Sequence, residues 1–195
     1  MRRSFATMLV LAAAASAPCR AEAVRAPADD VEAYDAAQLF SRLCVSTRGD
    51  RGRAAQILGG DDSAVEKLDE KMLLQLQGGK TGGVGWMIRM PLGEKLIFDF
   101  TAGGTCLVRA PRVSGPSLEE RLDNLVDEIG ASGQFKIRRL GDDTKTINKQ
   151  KYHFVSYSVR LPDTGETVEL GVATTDAKDA FIQGTLTFQL GAGKS

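Results

Sequence analysis

The chain has 195 residues, with 25 basic side chains, 25 acidic side chains and a single histidine, so its formal net charge at pH 7 is zero. This balance does not favour nucleic acid or an anionic membrane surface as a partner. A chain of this length with 43% hydrophobic residues is expected to bury enough apolar surface for one ordinary domain.

The N-terminus has the three parts of a secretory signal peptide. Arg2 and Arg3 form a basic start, residues 6–17 form an apolar core, and residues 21–23 read Ala-Glu-Ala, an A-x-A cleavage site. The apolar core is too short for a stable membrane helix. We therefore predict cleavage near Ala23 and a protein that is periplasmic or secreted.

Cleavage at that point leaves a mature chain of 172 residues with 22 basic and 24 acidic side chains, a net charge of about −2. A lipoprotein is the alternative, with Cys19 acylated, but Pro18 occupies the preceding position, where a small residue is needed. In its signal peptide and its size the chain resembles small exported proteins of Gram-negative bacteria, and this resemblance assigns no role to any residue. The predicted parts are a signal peptide at 1–23, a flexible lead-in at 24–30, a single domain at 31–190 and a flexible C-terminus at 191–195.

Two cysteines remain after cleavage, Cys44 and Cys106. An exported chain with two cysteines most simply pairs them. We therefore predict a disulfide that ties the end of the first helix to a strand, with two buried thiols as the alternative.

Hydrophobic spacing predicts helices in the first part of the domain. Residues 31–45 and 53–58 have helical spacing. A further helix is predicted to begin at Ser63, because Ser63 and Glu66 match a capping box. Its apolar stripe consists of Val65, Leu68, Met72 and Leu76. The glycines after residue 77 are expected to end this helix.

From residue 84 onward the apolar period changes to two, which predicts strands. One more helix is predicted between the strands, from a capping box at Ser117 and Glu120 to Gly130. Residues 141–143 are predicted to open a polar turn before the strand that begins at residue 151. The predicted strands span 84–90, 95–101, 105–110, 134–140, 151–161, 167–173 and 181–190. The fold class is therefore α+β, with N-terminal helices and one mid-chain helix packed on a mostly antiparallel sheet of about six to seven strands.

The stretch LQGGKTGGVGW at residues 76–86 contains a Gly-Lys-Thr triplet, and Gly-Lys-Ser ends the chain. A phosphate-binding loop requires a glycine five residues before the glycine of the triplet, and these positions hold Leu74 and Phe188. Such a loop also follows a strand and opens a helix, whereas the first triplet follows a predicted helix. We therefore expect no nucleotide site here.

The sequence offers no complete catalytic or metal-binding constellation. The single histidine, His153, falls within a predicted strand as a polar, half-exposed side chain, and no nucleophile elbow is present. One histidine and two paired cysteines give zinc too few ligands, and no calcium loop matches. We therefore expect no cofactor and no catalysis, with a carboxylate-based hydrolase as an alternative that the sequence leaves open.

Two features suggest a partner surface. Trp86, the only tryptophan, is either a core residue or an exposed anchor for a partner. Arg138, Arg139, Lys149 and Lys151 form a basic patch around one predicted hairpin, which is either a solvated edge or a surface for an acidic partner.

A polar sheet face with Gln183, Thr185, Thr187 and Gln189 adds to the expected partner surface. The sequence thus predicts an exported, non-catalytic protein that binds an envelope or secreted protein. The alternative is a carrier of a small ligand or lipid in a pocket between the helices and the sheet.

Overall fold

The structure is a computed structural model that describes residues 28–59 and 64–191. The predicted signal peptide and residues 192–195 of the predicted C-terminal segment lie outside the described residues. The helices are α1 (Ala28–Phe40), α2 (Arg51–Leu58), α3 (Glu70–Leu76) and α4 (Gly115–Ala131), and a π-helical turn at Ser41–Val45 continues α1. None of the described helices is long and apolar enough to cross a membrane.

The described strands form one antiparallel sheet with the order β1-β2-β3-β4-β8-β7-β6-β5. This arrangement confirms the predicted α+β class, with eight strands in the described residues. The strands are β1 (Val65–Lys67), β2 (Val84–Arg89), β3 (Lys95–Phe100), β4 (Cys106–Ala110), β5 (Lys136–Ile147), β6 (Gln150–Arg160), β7 (Thr167–Thr174) and β8 (Gly184–Leu190).

The sheet follows the chain order from β1 to β4 and then runs in reverse chain order from β8 to β5. Each half begins with a helical segment and contributes a meander of four strands, which α3 interrupts between β1 and β2 in the first half. The last strands of the two halves, β4 and β8, pair in the middle of the sheet. The two edges are therefore the first strands of the meanders, the three-residue β1 and the twelve-residue β5.

Helices α1 and α4 cover one face of the sheet and form the main core with it. Phe40 from α1 and Leu118 and Leu122 from α4 are fully buried against the sheet side chains Phe98 and Leu186. We call this side the helix face, and the opposite side the open face.

Gly184 in β8 allows α4 to approach the sheet closely. A Cβ at this position would lie only 2.5 Å from Leu118 Cδ2 and 2.6 Å from Val113 Cγ1. Any side chain here would therefore push the start of α4 away from the sheet.

Cys44 and Cys106 lie at disulfide-bonding distance, as their predicted pairing requires, with their Cα atoms 5.7 Å apart. Cys44 belongs to the π-helical turn after α1, and Cys106 begins β4. Both are fully buried. The bridge therefore fixes the end of the first helical segment to the central part of the sheet.

The helix predicted to begin at Ser63 is wrong over its first turn. Val65 to Lys67 form the edge strand β1, in which Val65 is the register partner of Ile88. The helix begins only at Glu70, where the Asp69 carboxylate accepts a hydrogen bond from the Met72 amide at 2.7 Å. Ser63 itself lies outside the described residues.

The later helix begins earlier than its predicted capping box at Ser117 and Glu120. The cap is Ser114, whose hydroxyl accepts from the Ser117 amide, and Pro116 occupies the first turn. Proline suits this position because its missing N–H has no partner within the helix.

The polar turn predicted to open at residues 141–143 begins later in the structure. These residues continue β5, which extends to Ile147 and pairs with β6 along its length, with a bulge at Leu140. The turn lies at Asn148 and Lys149, both with positive φ, 50° and 69°. Two consecutive residues of this kind are typical of a tight hairpin loop whose twist matches that of the strands.

The glycine-rich stretch at residues 76–86 ends α3 and leads into β2, as predicted. Gly78, Gly79 and Gly82 all have positive φ, between 63° and 88°. The Gly79 amide donates to the Leu74 carbonyl and closes the helix end.

Candidate binding surfaces

The half of the open face formed by β2 and β3 is covered. Gly85 in β2 lies beneath Leu73 of α3, since a Cβ on Gly85 would be 3.0 Å from Leu73 Cδ2. Beside it, Asp99 is completely buried and accepts from Arg109 Nε at 2.7 Å and Nη2 at 3.3 Å. Gln77, at the end of α3, donates to the same carboxylate at 3.1 Å. A buried ion pair therefore lies beneath the α3 layer.

The other half of the open face, formed by β5 to β8, is accessible. Alternation along the strands and the registers between them place one set of side chains here, and every member is half-buried or exposed. Its centre is small or hydroxylic, with Ser156, Ser158, Gly171, Ala173, Thr185 and Thr187. Its other members include Tyr152, Phe154, Lys136, Arg138, Lys145, Arg160, Asp143, Glu169 and Gln189.

Basic groups outnumber acidic ones on this accessible half. Its four cations, Lys136, Arg138, Lys145 and Arg160, face two carboxylates, Asp143 and Glu169. Lys145 lies 3.2 Å from Asp143 and 5.3 Å from the centre of the Phe154 ring. The surface therefore combines a flat polar centre with a predominantly basic margin, and we call it the open polar surface.

The polar residues expected on this face do not all lie there. Thr185, Thr187 and Gln189 alternate along β8 and belong to the open polar surface. Gln183 precedes β8, and its side chain accepts from the Val113 amide and donates to the Ala177 carbonyl. Gln183 therefore holds two loops together.

Trp86 lies on the helix face of β2, opposite Phe98 in the register. Its ring stacks on the Phe98 ring with the centroids 5.6 Å apart and an angle of 23° between the planes. The side chain is half-buried and packs against the main core. Trp86 thus lies away from the open polar surface.

The four basic residues predicted as one patch face different directions. Arg138 lies on the open polar surface, while its neighbour Arg139 lies on the helix face, 2.7 Å from Asp142. Lys149 is exposed in the hairpin loop, and Lys151 lies on the helix-face side of β6, beside His153. Alternation along the strands separates them, so only Arg138 contributes to the open polar surface.

His153 lies between two carboxylates on the helix face. Its Nδ1 is 2.9 Å from Glu119 Oε1 in α4, and its Nε2 is 2.7 Å from Asp142 Oδ1 in β5. The hydrogen bonds to Glu119 and to Asp142 raise the pKa of His153 above its ordinary value of 6.5. Thr174 donates to the same Glu119 oxygen. The group therefore connects α4 with strands β5, β6 and β7.

This cluster does not have the geometry of a catalytic site. Both ring nitrogens of His153 face carboxylates, so neither is left to activate a nucleophile. The imidazole ring lies between the Glu119 and Asp142 carboxylates. His153, Glu119 and Thr174 line a cleft of about 330 Å³ at the start of α4. Within the described ranges no group of three or more histidine, cysteine and acidic residues has the arrangement of a metal site.

Sequence reasoning missed the His153 cluster, because its members lie 34 and 11 residues from the histidine along the chain. Strand alternation could have indicated that His153 and Asp142 share a face, because His153 lies opposite Thr144 and Asp142 is two residues before Thr144. That inference required the correct extent of β5.

A second concave feature is a groove of about 600 Å³ between the end of α1, α2 and the β1–β2 edge. Its lining is mainly apolar and includes Leu39, Leu43, Ile57, Leu58, Val65 and Ile88. Arg42 is the cation on its helical side. The volume lies within the range of small-molecule pockets.

Comparison of the chain with protein-family models, with curated proteins and with solved structures found no match.

Proposed function

We propose that this chain is an exported protein of the periplasm or the external medium that acts by binding another protein, without catalysis. The observation that carries the proposal is the open polar surface, the accessible half of a sheet whose other half is covered by α3. The Cys44–Cys106 pair supports the export step, since disulfides persist in oxidising compartments.

The charges and aromatic rings of the open polar surface indicate which kind of partner it would bind. Four cations against two carboxylates favour a partner with an acidic margin, because complementary charge speeds and orients docking. The half-buried rings of Tyr152 and Phe154 lie 6.3 Å apart and provide apolar contact at one end. The partner surface is therefore acidic at its edge and carries at least one apolar side chain.

Site-specific photo-crosslinking in the producing cells tests this proposal. A photo-reactive residue at Ser158, in the open polar surface, is expected to give a discrete adduct with an envelope protein, and Arg160→Glu in the same chain is expected to reduce its yield. The matched control carries the probe at Asn124, which is exposed on α4. Equal adducts from both positions, or none from Ser158, would contradict the proposal.

Export is tested separately by the mass of the purified envelope form. A chain that begins at Val24 and has no alkylatable thiol without reductant is the expected result. An uncleaved chain with free thiols would contradict the export step without bearing on the binding surface.

The groove beside α2 favours a second candidate function, a carrier of a small ligand or lipid. The test is native mass spectrometry of the protein purified from its own envelope, where a bound ligand is expected. Ile57→Trp fills the groove and is expected to displace that ligand, whereas Gln56→Trp, on the exposed side of the same helix, is expected to retain it. If both variants retained the ligand equally, the ligand would bind outside this groove and the carrier proposal for the groove would be contradicted.

A further inference from the structure

Strand β5 is a long edge strand with one side unpaired in the described part of the chain. It has twelve residues and pairs only with β6, and ten of its residues are exposed. Leu140 and Ile147 are among the large apolar side chains that remain exposed, at 40% and 46%. Such an edge offers backbone donors and acceptors to another strand.

The charges of β5 are ordered so that the strand complements itself. Its first half carries Arg138 and Arg139, and its second half carries Asp142 and Asp143. If two copies pair antiparallel about the Leu140–Gly141 peptide, Arg138 comes opposite Asp143 of the second copy. Arg139 likewise comes opposite Asp142, and the symmetry repeats both pairs.

The bulge at Leu140 makes this register possible. In an antiparallel pair, residues that lie opposite each other must project from the same face. Residues 138 and 143 are an odd number apart, so in a regular strand they would project from opposite faces. Here the extra residue corrects the alternation, because Arg138 and Asp143 are opposite Ser158 and Phe154, which share one face of β6.

The same correction applies to the second pair. Arg139 and Asp142 are opposite Tyr157 and Val155, which share the helix face. Both arginine–aspartate pairs can therefore form across the two-fold axis on their proper faces.

Charged side chains on an edge strand commonly prevent association, but they do so only where like charges meet across the two strands. In the register above, four contacts between opposite charges form for every two between like charges, the Lys136–Lys145 contacts. Within the strand Arg139 pairs with Asp142 Oδ2 and Lys145 pairs with Asp143, and all four side chains are about half exposed. These contacts can be exchanged for contacts with a second copy without burying an unpaired charge, and Asp142 can keep the contact of its Oδ1 with His153.

We propose that β5 pairs with β5 of a second copy to form an antiparallel homodimer with one continuous sheet. The Leu140–Gly141 peptide lies at the two-fold axis, so Leu140 of each copy comes opposite Gly141 of the other. One strand pair buries less area than a stable interface needs, so the dimer is expected to be weak, with a Kd of about 10–100 µM. Arg138 and Asp143 also belong to the open polar surface, but the dimer uses the free edge of β5 and is tested on the purified protein alone, so it can fail or succeed without deciding the proposed binding function.

Sedimentation velocity of the purified mature chain from about 5 to 500 µM tests the dimer. The wild type is expected to convert from monomer to dimer across this range. Arg138→Glu and Asp143→Arg are each expected to raise Kd about tenfold or more, because each turns two symmetry-related attractions into repulsions. Glu128→Arg, at an exposed position of α4, is the matched control and is expected to leave Kd unchanged.

Mixing the two variants gives the decisive result. The Arg138→Glu chain cannot pair with itself but presents two attractions to the Asp143→Arg chain, so an equimolar mixture is expected to recover wild-type dimerisation within about threefold. Recovery also requires both variants to be folded. A wild type that stays monomeric at 500 µM, a dimer unaffected by either reversal, or a mixture that does not recover would overturn the proposal.

Discussion

Removing the carboxylate of Asp99 is expected to destabilise the fold far more than removing a surface carboxylate. Asp99 is fully buried, and the side chain of its partner Arg109 is only 14% exposed. In Asp99→Ala the guanidinium keeps its charge but loses both hydrogen bonds under the α3 layer. Breaking one side of a buried pair costs about 3–5 kcal/mol, because the other charge is left without compensation.

Urea unfolding of the oxidised mature chain measures this cost. With an m-value of about 2 kcal/mol/M, the midpoint is expected to fall by about 1.5–2.5 M. The matched control is Asp163→Ala, which breaks the Arg48–Asp163 pair at 2.6 Å, where both side chains are about half exposed. That midpoint is expected to change little, since exposed pairs contribute little to stability.

Replacing both members of the buried pair separates the charge effect from the loss of packing. Asp99→Leu combined with Arg109→Met is expected to recover most of the lost stability, because apolar side chains of similar volume leave no buried charge. If Asp99→Ala lowered the midpoint no more than Asp163→Ala, the assignment of Asp99 and Arg109 as a buried, mutually dependent pair would be refuted.

Three further predictions concern the bridge, the histidine and the close approach of α4. Cys44→Ala with Cys106→Ala is expected to lose about 4 kcal/mol in the same assay, from the chain entropy of a loop with a sequence separation of 62. The pKa of His153 is raised in the folded protein. The protonated imidazole therefore stabilises the fold fully below about pH 6.5, and this contribution is lost as the pH rises through the folded pKa. His153→Gln is expected to flatten this decline in urea midpoint above pH 6.5, and an unchanged profile would contradict the assignment. Gly184→Ala is expected to cost about 1–3 kcal/mol by overpacking against Leu118 and Val113, whereas Gly103→Ala, where a Cβ meets only Thr101 Oγ1 at 3.8 Å, should leave the midpoint nearly unchanged.

The features that the sequence predicted well depend on local signals. The strands around residues 84–110 follow their period-two pattern, and each connects to the next by a short turn, so neighbours in sequence are neighbours in the sheet. The class of the fold follows from this order of helices and strands.

The errors occurred where a distant partner decides the structure. Val65 fits the apolar stripe of the helix predicted from Ser63, but it belongs to the edge strand β1. This strand is stabilised by pairing with β2, which lies some twenty residues later in the sequence. Asp142 and Asp143 favour a turn by propensity. They remain in β5 because β6 pairs with them and because Arg139, His153 and Lys145 engage their carboxylates.

The candidate surfaces were harder to predict than the strands. Side chains alternate between the two faces of a strand, so assigning a residue to a face requires the correct strand ends and the position of the bulge. Arg138 and Arg139 are adjacent in the sequence and were assigned to one patch, yet they lie on opposite faces of the sheet. Only the pairing with β6 shows that Arg138 and Asp143 share a face across the bulge at Leu140.

The difference between the two halves of the open face limits the kind of partner that can bind there. On the α3 side the buried charges of Asp99 and Arg109 require cover, and the short helix supplies it. On the accessible side the central groups include the hydroxyls of Ser156 and Thr187, which water satisfies when the surface is free. A wholly apolar helix would bury these hydroxyls without partners, at a cost of about 1–3 kcal/mol each. A partner of the proposed kind would therefore have to offer hydrogen-bonding groups at its centre, which favours an extended segment or a polar loop over an amphipathic helix.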